Sequence, residues 1–175
     1  MFFKKKLQMK AIGRLPKRGV SCFTPFNKAK SVVFIFDPDE TGIEDAINYL
    51  EEILKGRGIN WKGIILDKSN KRGADFSPRA DFILVSKKEI GFNGVPRNIE
   101  KLFPADTEYD ILLDFSTENE FTSSYISRFV SAKFKIGRYC SGDDSPFDFI
   151  TKTSDQTPLS FLKQTIHYLE SIKPA

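Results

Sequence analysis

At 175 residues the chain suits one domain, long enough to bury a core without disulfides or metals. With 40% hydrophobic and 29% charged residues it is globular, and two distant cysteines, Cys22 and Cys140, exclude a disulfide framework or a zinc knuckle. The net charge of +4 is uneven: residues 1–36 carry nine Lys or Arg and no acid, and the remainder is net −5.

No apolar run approaches the roughly 18 residues that cross a bilayer. The opening "MFFKKKLQMK" has no apolar stretch of a secretory signal behind it. These features, with free thiols, set the expectation of a cytoplasmic protein.

Residues 2–15 have helical periodicity, with Phe3, Leu7, Ala11 and Leu15 on one stripe and most of the bases off it. Residues 16–30 follow as a connecting arm, broken by Pro16, Gly19 and Pro25. Residues 1–30 are therefore expected as a basic helix and arm, and residues 31–175 as a single domain. Such an arm can dock on the protein's own body, lie on an anionic membrane surface or meet nucleic acid, and the three are favoured in that order. Residues 1–18 are the candidate contact for a protein partner or a membrane; nucleic acid is disfavoured.

"SVVFIFD" (31–37) is a continuous apolar run, as in a strand buried on both faces. A helix is expected from Thr41 to about Gly56, opened by the capping box Thr41-x-x-Glu44. "NWKGIILD" (60–67) and "DFILVS" (81–86) read as strands, then a turn at Asn93-Gly94 and a short helix over 97–102. "YDILLDFS" (109–116) is a further strand, 121–131 a helix, 133–138 a strand and 147–150 a short strand. Residues 158–172 close the chain as an amphipathic helix with Pro158 in its first turn. Strands alternating with helices predict a three-layer α/β/α Rossmann-like domain with a mainly parallel sheet of five to six strands.

Ligands of such sheets bind beyond the carboxyl ends of the strands. That rule nominates Asp37, Asp39, Ser86, Lys87, Asp114, Ser116, Arg138 and Tyr139. A small anionic ligand is expected near Asp114, Ser116 and Arg138, although Arg138 could instead pair with Asp114. Gly137 is expected where the chain turns out of the sheet, and Lys133 and Lys135 on one face of a half-buried strand. No glycine-rich phosphate loop follows a strand, so no nucleotide cofactor is expected. His167, the single histidine, reads as a solvated helix residue, and no metal set is apparent.

"VVFIFDPDET" resembles the first motif of haloacid-dehalogenase-type phosphohydrolases. The resemblance implies Asp37 as nucleophile, Asp39 as general acid/base and a magnesium ion, with Ser86 and Asp143-Asp144 as later motifs. Glu40 and Gly42 depart from that pattern, and helix capping is the favoured role for these acids. "YDILLDFS…SYISRFVSAKFKIGRY" resembles the N-terminal half of heptosyltransferase-like two-domain glycosyltransferases through Asp110, Asp114, Ala132, Lys135, Ile136 and Gly137. It implies a Rossmann-like half-domain and no transfer chemistry. Along nearly its whole length, through "MFFKKKLQ", "FIFD", "YDILLDFS", "SAKFKIGRY" and a final "HYL" helix, the chain is similar to a group of small Bacteroidetes proteins of unknown function. Together these features favour a non-catalytic binding or interaction module. The alternative is a magnesium-dependent phosphohydrolase using Asp37 and Asp39.

Overall fold

A single sheet of six parallel strands organises the chain, in the order β3-β2-β1-β4-β5-β6. The strands are β1 (Ser31–Phe36), β2 (Asn60–Asp67), β3 (Phe82–Ser86), β4 (Glu108–Asp114), β5 (Ser131–Arg138) and β6 (Phe149–Thr151). Among the described residues five α-helices accompany them: α1 (Phe2–Ile12), α2 (Ile43–Gly56), α3 (Ile99–Leu102), α4 (Phe121–Phe129) and α5 (Pro158–Ser171). This computed structural model describes residues 2–69, 76, 80–104, 106–117, 120–138 and 145–172. The strand order reverses between β1 and β4, which is the switch point where open α/β sheets leave a crevice.

The apolar run of β1 explains its central place. Val32, Phe34 and Phe36 are fully buried on one face, in the core formed with α2 and α5 through Leu50, Leu54, Phe161 and Leu162. Val33 and Ile35 are equally buried on the other face, with Tyr125, Ile126 and Val130 of α4 and its flank. Only a strand covered on both sides tolerates apolar residues at both parities. Phe34, Phe36, Trp61, Phe76 and Phe82 pack together, most ring pairs edge-on or tilted at 5.1–6.2 Å between centroids.

Three local expectations change. The capping box at Thr41 does not form: α2 begins at Ile43 after Gly42 in a left-handed conformation (φ +79°), with no side-chain cap bond. Glycine adopts that conformation without strain, so the chain enters the helix by a backbone turn in which Ile43 N–H donates to Glu40 O. The reciprocal box forms at Ser86 instead, where the Glu89 carboxylate accepts from the Ser86 N–H and O–H at 2.8 and 2.9 Å. That commits Ser86 to closing a short 3₁₀ turn over Lys87–Glu89. Finally, Gly137 lies inside β5, paired with Asp114 of β4 and Ile150 of β6, not where the chain leaves the sheet. A Cβ there would fall 2.3 Å from the ring of Phe147, so glycine is what admits that ring.

The final helix keeps Pro158 in its first turn, with Thr157 Oγ1 accepting from Ser160 N–H. His167 is exposed on it, as its flanking residues implied.

Candidate functional site

Because all six strands are parallel, their carboxyl ends share one edge, and the nominated residues arrive there from separate loops. Asp114, at the end of β4, turns inward under α4 and is only 2% exposed. Its carboxylate accepts from Ser123 Oγ at 2.6 Å, Ser127 Oγ at 2.7 Å and the Ser116 N–H at 2.9 Å. Three donors replace the hydration that burial removes. Ser116 is half-buried, and its Oγ has no hydrogen-bond partner among the described residues.

Arg138 does not pair with Asp114. Residue 114 stands opposite Gly137 in the β4–β5 register, and its side chain goes to the α4 face. Alternation sends Arg138 to the other face. There its guanidinium bonds the Glu40 carboxylate, the Phe115 carbonyl at 2.9 Å and the Gln156 carbonyl. Arg138 thus ties the β1 loop, the end of β4 and the approach to α5 together from a buried position. Burial pushes the Glu40 carboxyl above its usual range; the bond and charge of Arg138 oppose this, and nearby Asp37 adds to it.

Asp37 is half-buried at the tip of β1 and Asp39 is exposed. One Asp37 oxygen accepts the Asp39 N–H at 2.9 Å, closing an Asx turn, and the other lies 3.5 Å from Lys68 Nζ. Lys68 also bonds Glu120, which caps α4 by accepting from Thr122 N–H. The carboxyl edge therefore gathers Asp37, Asp39, Glu40 and Glu120 around Lys68 and Arg138. Tyr139 and Asp143-Asp144 lie outside the described residues.

The opposite edge has a different character. The arm crosses it, tied by a two-pronged ion pair from Arg18 to Asp148 and by the Cys22 N–H on the Lys133 carbonyl at 3.0 Å. Phe23 meets Phe134 edge-on at 5.2 Å, and Phe26 is fully buried. Lys133 is exposed and bonds Asp110 at 2.7 Å, while Asp110 also accepts the N–H groups of Lys30 and Ser31. Burial alone would raise the Asp110 carboxyl; Lys133 and the two N–H groups overcome it and hold it low.

Lys135 corrects the expectation of a half-buried strand. It is 2% exposed, and its Nζ donates to the Ser127 carbonyl at 2.6 Å. Burial, with Arg18 and Arg128 beside it and Asp148 opposing, lowers its ammonium from 10.5 to about 8. An alternating "KFKI" pattern does not distinguish a covered lysine from a solvated one. The cover comes from the packing of the preceding helix α4, whose Ser127 carbonyl takes the ammonium, and the strand's own alternation does not show it.

Helix α1 has no buried residue. Ala11, Ile12 and Leu15, at and beyond its end, pack on the α4-side core, whereas Phe2, Phe3 and Met9 are 87%, 67% and 56% exposed. The stripe expected from Phe3 to Leu15 is thus divided: its last turn docks and its first turns stand clear with Lys4, Lys5, Lys6 and Lys10.

The strand order, the switch point and the helices on both faces define a Rossmann-like α/β domain. The chain belongs to DUF6913, a family of unknown function whose model matches residues 1–172. No match is found among the curated proteins. Among the described residues, no helix is long and apolar enough to cross a membrane.

Proposed function

We propose that this protein is a non-catalytic, cytoplasmic binding module that attaches reversibly to anionic membrane surfaces through α1. The observation that carries the reading is the exposure of Phe2, Phe3 and Met9 on the same short helix as four lysines, with no acid anywhere in the arm. Lysines near an anionic lipid surface contribute roughly 1 kcal/mol each, and the aromatic rings add apolar area at the headgroup boundary. A total on the order of 6 kcal/mol suits reversible attachment, not permanent anchoring.

The carboxyl edge supports a binding module over a phosphohydrolase. Asp37 is engaged locally, one oxygen closing the Asx turn and the other 3.5 Å from Lys68, contacts that suit a residue holding the β1 loop. Arg138 has its fork committed to Glu40 and two carbonyls, which favours a structural role for it over capture of a small anion. A generic phosphatase assay in magnesium is expected to give the same background for the natural chain and for Asp37→Asn. Turnover abolished by Asp37→Asn would restore the hydrolase reading.

Sedimentation with phosphatidylserine-containing vesicles tests the attachment itself. The chain is expected to pellet with these and stay in solution with phosphatidylcholine alone, and Phe2→Ser with Phe3→Ser is expected to weaken pelleting. Equal pelleting with both lipids, or none, counts against it; retention on RNA in place of vesicles would assign the arm to nucleic acid.

A further inference from the structure

Two cavities of about 500 and 420 Å³ flank arm residues 16–18 and share Arg18, Arg128 and Lys135 in their walls. They form one groove between the arm and the amino-terminal side of β4 and β5. The larger volume falls in the usual range for a small-molecule site. Its apolar wall is supplied by Phe103, Tyr109, Phe129 and Val130, with Val20 at 98% exposure on the arm side.

The charge of this groove is positive. Lys17, Arg18, Arg128, Lys133 and Lys135 face Glu100 and Glu108 in the lining. Among these cations Arg18 meets Asp148 and Lys133 meets Asp110. Lys135 differs. Among the described residues its ammonium has one hydrogen bond, to the neutral Ser127 carbonyl, although an ammonium carries three protons. A buried cation with unspent donors beside an apolar wall is a site that a matching anion completes.

We infer that this groove binds a small amphipathic anion, with a single phosphate or carboxylate head on Lys135 and an apolar chain or ring along Phe103, Tyr109 and Val130. The head is single because Glu100, Glu108, Asp110 and Asp148 set four negative charges against the five positive ones, leaving an excess of one. Such a ligand is either a soluble acyl or aryl acid or the exposed end of a membrane lipid; both offer the same chemistry. The inference stands apart from attachment through α1, whose exposed lysines do not line the groove.

Calorimetric titration of the full chain with decyl phosphate, below the concentration at which it forms micelles, tests this directly. Decyl phosphate is expected to bind and inorganic phosphate to bind far more weakly, since the apolar wall then goes unused. Two variants are informative: Lys135→Met removes the cation, and Val20→Glu adds a negative charge at a fully exposed position where folding is indifferent. Each is expected to weaken decyl phosphate roughly tenfold or more. Equal binding of decyltrimethylammonium, or affinity unchanged in Val20→Glu and Lys135→Met alike, overturns the inference. Vesicle sedimentation of the same variants then separates the sources. Loss in both variants identifies a lipid head, and undiminished pelleting identifies a soluble ligand. Lys5→Glu with Lys6→Glu should impair vesicle binding alone, so failure of the arm reading and of the groove reading are distinguishable.

Discussion

At the carboxyl edge of the sheet, Arg138 and Lys68 answer carboxylates from neighbouring loops, and acids outnumber bases. At the amino edge and along the arm, bases outnumber acids, and α1 carries exposed aromatic rings among lysines. Open α/β sheets usually use the first edge. Here Arg138, Lys68 and Asp114 hold neighbouring loops and helix α4 in place, and the surface proposed for a partner lies at the other end. The position of a site on a fold is a prior that the side chains can overrule.

The contrast can be broken from the carboxyl side first. Arg138→Met leaves the Phe115 and Gln156 carbonyls unsatisfied and Glu40 half-buried without its cation. A destabilisation of about 3 kcal/mol is expected from breaking such a buried pair, read as a lower urea midpoint. Were Arg138 a ligand grip, its removal would leave folding stability nearly untouched.

Next in size is Gly137→Ala, which forces the Phe147 ring away from a Cβ 2.3 Å distant. A loss of roughly 2 kcal/mol is expected for this overpacking. Combining it with Phe147→Leu should cost clearly less than the two changes added, and strict additivity would show that the ring contact is not the cause.

Lys135→Met sharpens the other end. Exchanging a buried cation for an apolar side chain of similar length is expected to stabilise the fold by about 1–2 kcal/mol at neutral pH. The sign follows from the lowered ammonium. Below about pH 8 both states hold the proton and the folded state bears the full cost of burying it. Between about 8 and 10.5 the unfolded chain retains a proton the folded chain has released, so stability rises with pH in that window. Tyr109 and Tyr125, both pushed above 10 by burial, oppose the rise beyond pH 10. Urea melts at pH 7.5 and 9.5 should show the increase in the natural chain and not in Lys135→Met; parallel profiles would remove Lys135 as the titrating group.

Much of the fold was legible in the sequence, because β1 and β4 are short apolar runs bounded by polar turns and α5 announces its own first turn with Thr157 and Pro158. The same kind of local pattern misled at Thr41. Thr41-x-x-Glu44 and Ser86-x-x-Glu89 are equivalent as text, and the left-handed Gly42 prevents the first while the end of β3 forms the second. The candidate site was harder to read. Glu40 meets Arg138 across 98 positions of sequence, a contact that exists only because the strand order brings β5 near β1. Burial of Lys135 is a closer matter: Ser127, eight positions earlier on α4, meets it, yet the strand's alternation alone looks half-solvated.

Attachment through the positive charge of the arm is distinguished from attachment by net charge alone in one comparison. Pelleting with phosphatidylserine vesicles is compared for Lys5→Glu with Lys6→Glu on α1 and Lys87→Glu with Lys88→Glu beyond the carboxyl end of β3. Both pairs are exposed, and both change the net charge equally. The α1 pair is expected to abolish pelleting and the β3 pair to leave it largely intact; equal loss from both would rule out attachment through α1.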